Sequence, residues 1–197
     1  MSWRRQRRQF VVALTLGPIV YGIASADPEQ VSVAVRLDGS KVVLDVEARP
    51  GDVTRAIVWQ VLTDYDHMAD FLSAIKSSKV VRRTHDRLEV AQSGSASRGP
   101  LTFSFATVRD VMLSEASGVV TSHLISGDFR SYDFETRLLR DASGHLTLRH
   151  HGEYVPDRWV PPVIGPALIE TEVRKQYEEF IAEMQRRQQA VAVRPGR

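Results

Sequence analysis

The sequence predicts an α+β fold in which a curved antiparallel sheet of six to seven strands wraps around one long C-terminal helix. Three observations carry this. Between residues 75 and 155 the chain is a succession of short, half-apolar runs separated by turn-rich breaks. From about Val163 the apolar period becomes that of a helix. Only two short helical segments stand near the beginning, between Asp52 and Leu72.

The first 26 residues read as a segment that is not part of the fold. Arg4, Arg5, Arg7 and Arg8 occur before any acid, Phe10 to Ile23 is almost wholly apolar, and Ala24-Ser25-Ala26 is a small-x-small cleavage site. A basic region, a short apolar run and such a site make a secretory signal peptide, and the run is short for a bilayer span. Arg7-Arg8 before Phe10 also fits a twin-arginine export pattern, which leaves the route open. The mature chain is expected to begin at Asp27, in the periplasm or outside the cell. One ligand-binding domain then spans 27–189, with 190–197 as a tail that carries no core signal and is expected to be disordered.

Within the domain, Val31 to Leu37 alternates, Asp38-Gly39-Ser40 turns, and Lys41 to Ala48 is a second β-rich run, together a hairpin. Pro50-Gly51-Asp52 ends it. Asp52 or Thr54 caps a helix to about Thr63, and Asp64 to Leu72 reads as a turn with a second short helix. Six strands follow: Ile75–Thr84, Arg87–Ser93, Leu101–Met112, Val119–Ile125, Phe129–Arg140 and His145–Val155. Their connections are short, so neighbours pair antiparallel. Gly94 to Gly99 is read as a hairpin turn or a mobile lip. From Val163 to Gln188, Ile169, Val173, Tyr177, Phe180, Ile181 and Met184 form one helix face, suited to cover the sheet's apolar side.

Charge and cysteine content exclude several functions. The chain has 26 Lys and Arg against 24 Asp and Glu; four of the arginines and none of the acids lie in residues 1–26, which leaves 22 against 24, a net −2. That balance and the absence of a basic stripe argue against nucleic acid. With no Cys, thiol catalysis, thiolate metal sites and redox exchange are excluded.

The run Val58 to Leu72, with Thr63-Asp64-Tyr65 and Phe71-Leu72 at its end, then Ser77 to Val81, resembles a known family. Gly127-Asp128-Phe129-Arg130, Ser143-Gly144, Tyr154-Val155-Pro156 and the proline-rich Val160 to Pro166 carry the resemblance further. Over about residues 40–187 the chain resembles the START-like superfamily (helix-grip or SRPBCC proteins), in its polyketide cyclase/dehydrase and coenzyme Q-binding-like branch. The resemblance implies a hydrophobic small molecule, such as a lipid or isoprenoid, held between sheet and long helix; transient membrane contact on loading stays open. It implies no cofactor. It leaves a second function open, a cyclase or dehydratase using acid/base groups in the same cavity, because fold similarity is no warrant for chemistry.

The expected ligand-binding residues are Phe103, Phe105, His123, Tyr132, Phe134, Ile169, Val173 and Tyr177, with Arg109 and Arg149 as further polar candidates. No catalytic residue is assigned. Asp64, Asp66 and His67 offer an acid/base group near the cavity mouth, against a structural role for that turn. His151, Glu153 and a distant His123 have zinc-ligand chemistry but no motif, so no metal is expected. Oligomeric state is not legible.

Overall fold

The computed structural model describes residues 30–98, 101–141, 143–157 and 165–193. The export segment, Pro161 and Pro162 lie outside them. The N-terminal hairpin joins β1 (Val31–Asp38) and β2 (Lys41–Ala48), in register from Val31 opposite Ala48 to Asp38 opposite Lys41. Gly39 takes φ 59° at its turn, a conformation that favours glycine. Helix α1 (Arg55–Thr63) buries Ile57, Val58, Val61 and Leu62, one face of a helix. A 3-10 turn at Tyr65–His67 and the single-turn α2 (Met68–Phe71) follow.

Then come β3 (Ile75–Arg83), β4 (Arg87–Arg98), β5 (Leu101–Ser114), β6 (Val119–Gly127), β7 (Phe129–Arg140) and β8 (Leu146–Pro156). These six form an antiparallel meander. Strand β2 pairs with β8, so all eight strands share one curved sheet, in the order β1-β2-β8-β7-β6-β5-β4-β3. The count exceeds the six to seven expected because both arms of the hairpin enter the sheet. Helix α3 (Gly165–Ala192) packs against β1 and α1 and buries Leu168, Tyr177, Phe180, Ile181 and Met184. With the inward side chains of the sheet, such as Leu44, Val90, Val111 and Leu148, it closes one core.

Two boundaries differ from the sequence reading. Gly94 to Arg98 is strand rather than turn, paired with Phe105 to Leu101 across β4 and β5. The glycine is needed for close approach: a Cβ at Gly94 would fall 2.2 Å from the Ala74 carbonyl oxygen and 2.7 Å from the Phe105 ring. Helix α3 also continues through Ala190 to Ala192, into the expected tail, because no helix breaker occurs before Pro195.

Candidate functional site

A cavity of about 370 Å³ lies between the sheet and α3. Its wall is largely aromatic. The Tyr132 and Phe134 rings are 4.5 Å apart, and Phe134 stacks on His150 at 4.8 Å and 11°. The series continues from His150 to Tyr177 at 5.8 Å and from Tyr177 to Phe180 at 5.9 Å. Period-2 alternation places Phe103 and Phe105 on the inner face of β5, and Tyr132 and Phe134 on that of β7. The half-buried Ile169 and Val173, one helical turn apart on α3, face them. Lining residues near α1 and α2, Leu62, Tyr65 and Met68, are buried, while Ser104 and Asp128, by the β4–β5 and β6–β7 turns, are exposed. Among the described residues the wall is thus buried toward α1 and more exposed toward the β4–β5 and β6–β7 turns.

Polar groups gather at mid-depth. Arg109, only 9% exposed, donates from Nη1 to Ser122 Oγ at 3.3 Å and to the Tyr132 hydroxyl at 3.2 Å, and from Nη2 to Gln92 Oε1. Its guanidinium also lies 5.3 Å from the Tyr132 ring centre. The Gln92 amide is oriented from behind, because its Nε2 donates to Ser78 Oγ at 2.8 Å and approaches Met68 Sδ at 3.3 Å. A register shift between Val108 and Arg109 in the β5–β6 pairing leaves Ile125 of β6 unpaired beside this cluster, a bulge that re-aims side chains locally.

Burial shifts the imidazole and three phenols of the wall away from neutral pH. His150 shares a 2.8 Å hydrogen bond with Thr136 Oγ1. Burial, then the nearby Arg109 charge and His151, lower its pKa to about 3, so the imidazole is neutral. Burial pushes Tyr65 up to about 12 and moves Tyr154 and Tyr177 up further still.

Seven of the eight expected ligand residues line this cavity. His123 does not. It lies on the outer face of β6, with a 54% exposed side chain bonded through Nδ1 to Asp133 Oδ1 at 2.7 Å. Strand parity explains the correction: the inward residues of β6 are Val120 and Ser122, so His123 must face out. Arg149 is likewise outside, beside Glu47. The histidine that does reach the cavity is His150, whose neighbour His151 points to the other face of β8.

The other candidates have structural roles. Asp64 accepts from His67 Nδ1 at 2.6 Å and from Arg187 Nη2 at 2.8 Å, and Asp66 Oδ1 accepts the Val80 N–H at 2.9 Å. His151 pairs with Asp45 and Glu153 with Lys41. Among the described residues no group of three or more His, Asp or Glu side chains is placed to hold a metal ion.

The family model "Polyketide cyclase / dehydrase and lipid transport" matches residues 52–137, which carry α1, the polar cluster and the Tyr132–Phe134 wall. Among solved structures, a STAR-related lipid transfer protein from Xanthomonas axonopodis superposes with TM-score 0.62 at 13% identity, over 82% of this chain and 97% of that one. The Zhui aromatase/cyclase from Streptomyces gives 0.58 at 14% identity, over 75% and 94%. The chain has the START-like fold. The major latex-like protein 151 from Panax ginseng has the same START-like fold, with TM-score 0.56 at 13% identity, over 74% and 99% of the two chains. At such identities these likenesses establish the fold alone. No curated protein sequence matches the chain.

Proposed function

We propose that this START-like protein binds a hydrophobic small molecule, of lipid or isoprenoid size, in the cavity between sheet and α3 and shields it from water. The observation that carries the reading is the cavity itself: about 370 Å³, walled mainly by aromatic and aliphatic side chains with a few convergent polar groups. Ligand sites typically run from roughly 300 to 1,000 Å³ with that kind of lining. Each square ångström of apolar ligand surface withdrawn from water contributes about 25 cal/mol. The matched family includes lipid transport in its description.

His150 and Tyr65, the two buried candidates for proton transfer, favour shielding over such chemistry. A general acid or base works best with a pKa near the operating pH. His150, at about 3, and Tyr65, at about 12, both lie far from it.

The reading includes export, on the basic, apolar and small-x-small pattern of residues 1–26. Native mass spectrometry of the protein isolated from a periplasmic extract without detergent tests both parts. The expected result is a chain beginning at Asp27 that carries an adduct released by organic solvent. A bare mass that persists after incubation with mixed lipids and quinones would overturn the binding reading. An intact Met1 terminus in a cytoplasmic fraction would overturn export.

A further inference from the structure

Shielding an apolar molecule makes no use of a buried cation, yet the cavity holds one. The Arg109 guanidinium carries one positive charge. Its partners, Ser122, Tyr132 and Gln92, are all neutral. Among the described residues no carboxylate pairs with it. Two acids do line the cavity, and neither neutralises Arg109: Asp128 is exposed in the β6–β7 turn with Oδ2 accepting the Ala106 N–H at 2.8 Å, and Glu172 stands half-buried on α3. The other basic group in the wall, His150, is neutral. Arg109 therefore leaves one uncompensated positive charge in the depth of the cavity, where an unpaired charge is strongly unfavourable.

The guanidinium also has donors to spare. Of its five N–H bonds three are used, two on Nη1 and one on Nη2. The Nε–H is buried and has no acceptor among the described residues. A guanidinium with a spare Nη2 donor and one unit of charge matches a carboxylate, which accepts N–H bonds and carries one negative charge. The position of the cluster fixes orientation: Arg109 lies inside the more exposed end marked by Ser104 and Asp128, with Phe103, Phe105 and Phe129 between.

Resting on the binding reading above, we propose that Arg109, presented by Gln92, Ser122 and Tyr132, is an anion subsite, and that the ligand is an apolar chain ending in a carboxylate, bound head inward with its chain toward the more exposed end.

The test compares dodecanoate with methyl dodecanoate and dodecan-1-ol, each displacing a fluorescent apolar probe from the wild-type protein and from Arg109→Gln and Arg109→Lys. The wild type is expected to prefer dodecanoate over the two neutral analogues by roughly tenfold or more, the size of a hydrogen-bonded charge interaction. Arg109→Gln is expected to lose that preference while keeping its affinity for the alcohol, and Arg109→Lys to keep part of it. If the three ligands bind the wild type equally, or if Arg109→Gln retains the preference, the anion subsite is overturned and the binding reading stands. If none of the three and no probe binds, both fall. The wild-type comparison decides the matter even where a variant fails to fold.

Discussion

The charge of His150 is set by its surroundings rather than by the solvent. Its ordinary pKa of 6.5 falls to about 3 because burial, and then Arg109, penalise the protonated ring. Between those two values the unfolded chain binds a proton that the folded chain refuses, so stability falls as pH drops from 6.5 toward 3. His67 acts with the opposite sign: the Asp64 hydrogen bond raises its pKa, so its contribution is complete below 6.5 and fades only as pH rises past the folded value. The stretch from pH 6.5 to about 4.5, above the range in which the carboxylates gain protons, therefore isolates His150. Urea midpoints are expected to decline through it for the wild type and to be nearly flat for His150→Gln, and a wild type as flat as the variant would show the ring to be solvated. The sequence contained this assignment in part. Strand parity separates His150 from His151, but parity alone does not say which face is inner. A distance-free choice thus preferred His123, whose partner Asp133 lies on a neighbouring strand that only the register reveals.

At the scale of the element, α3 divides into two halves with different tasks. Its first half presents Leu168, Ile169 and Val173 to the cavity. Its second half is fastened. Glu179 accepts from the Ser73 N–H and hydroxyl at 2.9 and 2.5 Å, Gln185 donates to the Pro50 carbonyl, and Gln188 accepts the Thr54 N–H. Glu183, 8% exposed, binds Arg186 and Arg187, and Arg187 reaches on to Asp64. The Arg186 hydrogen bond, opposed by burial and reinforced by Arg187, holds the Glu183 carboxyl down to about 2. Its stabilisation is present above the ordinary 4.5 and is lost as pH falls toward 2. Glu183→Gln is expected to lower stability at pH 7 by roughly 1–3 kcal/mol and to remove that part of the acid sensitivity, both read by urea denaturation. An unchanged midpoint would mean that the two arginines are solvated equally well without it. The apolar stripe of α3 was legible because a helix repeats it every three to four residues. The fastening was not, since Asp64 and Arg187 lie 123 positions apart. The strand at Gly94 was misread for a related reason: glycine usually signals a turn, and here it marks the approach of the Ala74 carbonyl and the Phe105 ring. Gly94→Ala, which would force those atoms apart, is expected to destabilise the protein by about 1–3 kcal/mol in the same measurement.

For the whole molecule, the order of elements was readable because alternation, turn chemistry and helical period agree along the chain. Whether the space between sheet and helix is filled was not, because a few ångströms of separation between α3 and the inner face of the sheet decide it, and no local pattern encodes them. The cavity therefore has a consequence that a filled core would not. A ligand held there, at about 100 times its Kd, adds roughly 2.7 kcal/mol to stability, which for a domain of this size raises Tm by about 5–10 °C. Val173, half-buried on the cavity side of α3, is the place to remove that gain. Val173→Trp is expected to project its ring into the existing space, to leave the unliganded Tm close to wild type, and to abolish most of the ligand-induced rise. A variant that still gains the full shift would place the ligand elsewhere, and one that unfolds on its own would show that α3 packs too closely here to admit a ring. Ile169→Trp, one turn earlier, repeats the measurement, so the two variants together map how far along the helix the ligand lies.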